Sequence, residues 1–187
     1  VLTRGDSLKT PLQMAIQLLK RHRDIYFKNN MDVAPISIIF TTLAAKAYRG
    51  EENVYDTIKT LLNHMQDFVE NRYGVYWVQN PVMAEENFAD KWGKYPERRL
   101  AFFEWIEKAK EDLLIMPLNT QGLHKIGNKL EKSLGEAPVI RALSNLAKDA
   151  KEAREGGLLY TAGLTKGLTN DKSESIATVK KHTFYGK

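Results

Sequence analysis

Lys20, Arg21, His22, Arg23 and Asp24 stand in one run, and the chemistry open to them is the holding of anions. Successive residues of a helix are about 100° apart around its axis. Arg21 then points away from the apolar stripe of its own segment, Arg23 falls inside that stripe, and Lys20 lies on its flank near Ile16 and Phe27. A guanidinium on an apolar face has to meet a carboxylate, a carbonyl or a bound anion, because an unpaired buried charge is costly. The ordinary outcome for Arg23 is a structural ion pair. For Lys20 it is a stem laid on the surface with the amine in water.

Farther along, Pro35-Ile36-Ser37 opens a second helix. Its first turn leaves backbone N–H groups without helical acceptors. Those groups, the helix dipole and the Ser37 hydroxyl together make a seat for phosphate, with Lys20 as the candidate cation from the neighbouring helix. The plainer alternative is that Ser37 bonds only backbone or water. The loop Asn80-Pro81-Val82-Met83-Ala84-Glu85-Glu86-Asn87-Phe88-Ala89-Asp90-Lys91-Trp92 mixes amides, acids and aromatics. Such a loop can take a nucleobase by edge hydrogen bonds and stacking, or simply pack on its own Phe88 and Trp92.

Other chemistries are excluded by what the 187 residues do not contain. There is no cysteine, hence no disulfide, thiolate metal site or thiol nucleophile. His22, His64, His124 and His182 show no metal-ligand spacing, and His182 reads as structural. No Gly-Lys-Ser/Thr phosphate loop and no Gly-x-Ser-x-Gly elbow occurs. No Asp-x-Asp pair follows a Gly-Ser turn, so no acidic cluster for paired magnesium ions is present. Asp56, Asp67, Glu107 and Glu111 read as solvated helix faces. The net charge of +5 favours anionic partners. No apolar run approaches the ~18 residues of a membrane span, and the opening Val-Leu-Thr-Arg-Gly-Asp is neither a signal peptide nor a start at methionine. The expected setting is the cytoplasm, with no membrane partner, and the chain is expected to begin inside a longer protein.

The elements that must position these residues read as helices. Thr10-Pro11 caps and starts the first, with Leu12, Ala15, Ile16, Leu19 and Tyr26 on one face. The second runs from Pro35 to Gly50 and is apolar almost all round, so it is expected to be the buried central helix. The third spans Asn53 to Tyr73, ended by Gly74, with Val75–Val78 extended. Residues 79–95 form a structured loop. The fourth helix runs from Pro96 to Leu114, buried through Leu100, Phe103, Ile106 and Leu113. The fifth follows Thr120 with Leu123, Ile126, Leu130 and Leu134 inward. The sixth runs from Pro138 to Glu155. The expected fold is all-α: a bundle of about six helices over 1–157, with a C-terminal extended tail, 158–187, docking through Phe184 and Tyr185.

Four segments also carry a family resemblance. Pro-Leu-Gln-Met-Ala-Ile-Gln-Leu-Leu-Lys-Arg-His-Arg-Asp-Ile-Tyr-Phe (11–27), Pro-Ile-Ser-Ile-Ile-Phe-Thr-Thr-Leu-Ala-Ala (35–45), Asn-Pro-Val with Glu-Asn-Phe-Ala-Asp-Lys-Trp (80–92) and His-Thr-Phe-Tyr-Gly (182–186) resemble, in order, the C-terminal helical half of bacterial cGAS/DncV-like nucleotidyltransferases (CD-NTases). The resemblance implies the second domain of the oligoadenylate synthetase and cGAS-like fold. It implies partnership with an N-terminal catalytic domain that carries the Gly-Ser motif and the Mg2+-holding carboxylates, and joining of ATP or other NTPs into cyclic di- or trinucleotide messengers in anti-phage defence. It aligns Lys20 and Ser37 with contacts to the donor triphosphate, and Asn87 and Asp90 with contacts near the nucleotide. An operon-encoded regulatory protein is a further implied partner. Without the catalytic half, the chain alone is expected to be inactive. Two other readings remain open on the residues themselves: a non-enzymatic helical interaction module, and a nucleic-acid-binding domain, against which the interleaved acids argue.

Overall fold

The computed structural model describes residues 9–156, 160–162, 168–169 and 175–178. Its contacts divide the chain into two compact units, Val1–Gly135 and Glu136–Lys187, whereas the sequence alone drew its boundary at 157. Helices carry the fold and the strands are short, so the all-α class holds.

In the first unit, α1 (Pro11–Tyr26) starts where Thr10-Pro11 predicts. Thr10 Oγ1 accepts from the Gln13 N–H at 3.2 Å, and Gln13 Oε1 accepts from the Thr10 N–H at 2.9 Å. This reciprocal box satisfies two donors that the helix itself leaves open. Helix α2 follows at Ser37–Ala47, and α3 at Val54–His64, where Asn53 Oδ1 takes the Asp56 N–H at 2.9 Å. Strands β1 (Glu70–Arg72) and β2 (Val75–Trp77) form an antiparallel hairpin pairing Arg72 with Val75. Then come α4 (Pro96–Lys110), a π turn (Glu111–Ile115), the single-turn α5 (Met116–Leu118) and α6 (Leu123–Leu134).

The packing centre is α1, which touches α2, α3, α4 and α6. Leu19, Phe40, Leu61, Leu62, Phe102, Trp105 and Ile106 are fully buried around it. Phe40 and Phe102 lie 5.3 and 6.3 Å from the Trp105 ring, distances at which tilted aromatic rings attract. Helix α2, expected to be central, is buried on one side only: Ile39, Phe40 and Leu43 face in while Ile36 and Ile38 are exposed.

Three expectations are corrected. The third helix stops at His64 and a 3-10 turn (Met65–Phe68) leads into the hairpin. Tyr73 and Gly74 both take positive φ, 54° and 88°, which is the two-residue turn that matches strand twist. Gly74 therefore turns a hairpin instead of ending a helix. In α4 the buried face is Ala101, Phe102, Trp105, Ile106 and Ala109, while Leu100 is exposed; large apolar residues lie on both sides of this helix, so their spacing does not select the face. Leu123 is likewise exposed, at the open first turn of α6.

In the second unit, α7 (Glu136–Glu155) precedes β3 (Tyr160–Ala162), β4 (Leu168–Thr169) and β5 (Ser175–Thr178), an antiparallel sheet in the order β4-β3-β5. Short strands thus occupy a stretch expected to be an extended tail. The expected docking residues Phe184 and Tyr185, with His182, lie outside the described residues.

Gly135 ends α6 at φ +81°, and a Cβ there would meet Arg21 Nη2 at 2.6 Å. Arg21 Nε donates to the Leu134 carbonyl at 3.0 Å, so moving the arginine aside breaks its cap on α6. Gly135→Ala should lower the unfolding free energy by about 1–2 kcal/mol. Gly93→Ala, where φ is −70° and a Cβ meets open space, should be neutral or slightly stabilising; urea denaturation of both variants checks this.

Candidate functional site

Arg23 finds its partners at the mouth of α2. Its side chain is 13% exposed and pairs with Asp24, with Nη2 2.5 Å from Asp24 Oδ1. Nη1 donates to Ser37 Oγ at 2.7 Å and to the Pro35 carbonyl at 3.2 Å, and the guanidinium lies over the Phe40 ring at 5.4 Å. The carboxylate and carbonyl that an arginine in an apolar stripe requires are thus both present, and the ordinary ion pair expected for Arg23 forms. The cation that reaches the Ser37 hydroxyl is Arg23. Lys20, the residue the sequence singled out, sits one helical turn earlier on the same side of α1. It is half-buried, and among the described residues its amine makes no hydrogen bond or ion pair. Ser37 is also half-buried, so neither is sealed away. The two signals that could have exposed Arg23 were in view: its place inside the stripe, and a serine opening the next helix.

The N-terminus of α2 is left open. Ile36 holds the cap position and has no side-chain acceptor, in contrast to Thr10 on α1 and Asn53 on α3. First-turn amides in this state are donors for water or an anion.

Beside this helix end lies a cleft of about 720 Å3, bordered by Pro35, Ile36, Trp77, Asn87, Asp90 and Arg98 among others. Asn87 is a brace. Its Oδ1 accepts from the Val78 and Ala89 N–H groups at 2.9 Å each, and its Nδ2 donates to the Tyr76 carbonyl at 2.9 Å, leaving one amide hydrogen unused. Asp90 is exposed, and among the described residues its carboxylate accepts no hydrogen bond. The loop packs on its own tryptophan. Trp92 is buried 5.3 Å from Phe102 and anchors it, while Phe88 borders the cleft. Arg72 stacks on Trp77 at 4.4 Å, and the Trp77 indole N–H is buried without an acceptor, an arrangement proteins seldom leave in place. The structure therefore brings Asn87 and Asp90 together on one cleft, and Ser37 and the Lys20–Arg23 face of α1 together at the adjoining helix end through Pro35.

The residue that sequence reasoning missed is His22. It is 1% exposed and its Nδ1 accepts from the Trp105 indole N–H at 3.0 Å. An indole nitrogen only donates, so the imidazole proton sits on Nε2, 3.2 Å from Asp112 Oδ2. Asp112 is also paired with Lys108 Nζ at 2.9 Å. Burial holds the His22 pKa below its ordinary 6.5, outweighing the Asp112 carboxylate, which pulls it up. The signal for this was a histidine three residues after Leu19 on the packed face of α1, with a tryptophan on a distant helix to serve it. Among the described residues no group of three or more His, Asp or Glu side chains is placed to hold a metal ion.

No protein-family model matches the chain. Over 183 residues it is 34% identical to a c-di-GMP synthase of Roseivirga ehrenbergii, a match that takes in 95% of this chain and 47% of that protein. The chain thus spans about half the length of that curated relative. Its fold is similar to that of the Bradyrhizobium diazoefficiens CD-NTase CdnG, solved in complex with GTP. The TM-score is 0.59 at 19% identity, over 75% of this chain and 41% of the other.

The buried imidazole generates a pH prediction. The unfolded chain takes up a proton on His22 near 6.5 and the folded chain only at lower pH. The stability contributed by neutral His22 is therefore complete above 6.5 and lost as pH falls toward the depressed value. Urea denaturation from about pH 7 to about pH 5 should show a declining free energy, with a shallower slope in His22→Gln. Trp105→Phe, which strands Nδ1 without a donor, should cost about 1–3 kcal/mol at neutral pH.

Proposed function

We propose, from a chain that is CD-NTase-like in sequence and in fold, that it is the C-terminal helical portion of an enzyme joining NTPs into cyclic di- or trinucleotide messengers, and that its part is to hold the donor nucleotide. The single observation that carries this is the open N-terminus of α2 with a cation-bearing face of α1 against it. Arg23 fixes the Ser37 hydroxyl and the Pro35 carbonyl, and Lys20 stands one turn away with an uncommitted amine. In this reading the Arg23 contact orients Ser37, whose hydroxyl proton and first-turn amides are donated to phosphate oxygens while Lys20 supplies the charge. The neighbouring cleft takes the base. Phe88 and Trp77 provide apolar walls, Asp90 accepts from a base edge, and Asn87 gives its remaining amide hydrogen.

Bond making is assigned to no residue of this chain. The metal is proposed to be held by the catalytic half. The relative's name, c-di-GMP synthase, and the GTP bound to the structural neighbour are in keeping with a nucleotide site. Anti-phage signalling in the cytoplasm, with an operon-encoded regulator, is the biological setting proposed.

The test uses the full-length protein. The residues encoded before Val1 should contain a Gly-Ser turn followed by paired acids; a different domain there would end the proposal. In that protein Lys20→Ala should raise the KM for NTP by about 10- to 100-fold, the equivalent of one charge-assisted contact, in a magnesium-dependent NTP-consumption assay. An unchanged KM would remove Lys20 from the site.

A further inference from the structure

A cluster of lysines outside the α2 region lines a hollow of its own. Lys28, just beyond α1, Lys108 on α4, and Lys129 and Lys132 on α6 line one hollow of about 390 Å3, together with His22 and Asp112. Lys129 and Lys132 are three residues apart and share one face of α6. The other two lysines come from elements distant in sequence, so the cluster is a convergence of three elements and not the solvated side of one helix. Amines brought together in this way repel one another, and only one carboxylate, Asp112, is among the lining residues.

The charges are unevenly compensated. Lys108 is held by Asp112 and Glu111 at 2.9 Å each. Lys129 donates to a neutral acceptor, Thr120 Oγ1, at 3.0 Å. Among the described residues Lys28 and Lys132 have no carboxylate partner. The imidazole at the floor adds no positive charge, because Trp105 fixes it in the neutral form, and its one N–H is spent on Asp112. What remains is a cup with excess positive charge, walled on one side by Tyr26 stacked on His22 with ring centroids 6.4 Å apart. Its volume is at the small end for ligand pockets, which fits a compact ligand and not a polymer surface.

We propose that this hollow binds a small polyphosphate-type anion, at a site separate from the seat at α2. Ammonium groups act as point charges toward phosphate, and three negative charges on a triphosphate-sized ligand would meet Lys28, Lys129 and Lys132 while Lys108 keeps its carboxylates. The ligand is either an inorganic polyphosphate or the phosphate tail of a nucleotide.

Isothermal titration of the 187-residue chain with inorganic triphosphate, without magnesium, tests this. In a Lys20→Ala/Ser37→Ala background, which removes the α2 seat, saturable binding is expected to persist and to be weakened at least about tenfold by adding Lys28→Ala/Lys132→Ala. The equally charge-reducing control Lys148→Ala/Lys151→Ala on α7 should stay within about twofold. Thermal melting confirms that each variant folds. ATP binding more tightly than triphosphate, with the same lysine dependence, identifies a nucleotide as the source; equal affinities identify the bare phosphate chain. No saturable binding, or equal weakening by the α7 control, overturns the site. Binding by the unaltered chain that is lost in the Lys20→Ala/Ser37→Ala background would instead place the anion at α2, overturning this site while supporting the donor seat.

Discussion

Three consecutive side chains of α1 fasten it to three different neighbours. Arg21 reaches the last carbonyl of α6, His22 lies between Trp105 of α4 and Asp112 of the π turn, and Arg23 holds Pro35 and Ser37 at the start of α2. Because helical residues fan out by about 100°, one run of three polar residues spans rather more than half the circumference. Apolar burial is non-directional; it would hold α1 in the bundle without fixing how far it is rotated or slid. The hydrogen bonds do fix it, since each has one partner at one place. Both proposed anion seats inherit their geometry from that rotation: one lies where Arg23 points and the other where His22 points.

Much of this was legible from the residues. The starts of α1, α3 and α4 follow from Thr10-Pro11, Asn53 and Pro96, because capping and proline geometry are local chemistry that needs no knowledge of the rest of the fold; α2 instead begins at Ser37, two residues past the expected Pro35. The demand for an acceptor at Arg23 followed from its position alone. What escaped depended on distant partners. Nothing near His22 announces Trp105, 83 residues away, and nothing near Arg21 announces the end of α6. The face of α4 could not be chosen because Leu100 and Phe103 compete with Phe102 and Trp105, and only the aromatic cluster around α1 decides between them. The hairpin was hidden because the apolar spacing of α3 continues through Phe68 and Val69 into it, while the deciding feature is a turn made by an exposed tyrosine and a glycine.

Parts of the candidate region were legible. A cation of the preceding helix, Arg23, meets Ser37 at the helix start, and the loop bearing Asn87 and Asp90 borders a cleft. The finer assignment shifted. Arg23 occupies the hydroxyl that had been matched with Lys20, and Asn87 spends most of its hydrogen-bonding capacity on holding its own loop. A side chain already engaged by backbone has little left for a ligand, whereas Lys20 and Asp90, without such engagements, keep theirs.

The π turn at Glu111–Ile115 behaves as one surplus residue within an otherwise continuous run of helix, and a surplus residue rotates everything after it by about 100°. Trp105 and Asp112 are seven residues, about two helical turns, apart, so the helix presents both to the imidazole, and the surplus residue acts on what comes after them: Met116–Leu118 and the approach to α6. A single-codon deletion after Asp112 inside the turn would therefore leave the carboxylate on His22 and swing the chain beyond it, so that the helix survives while α6 loses its line of approach.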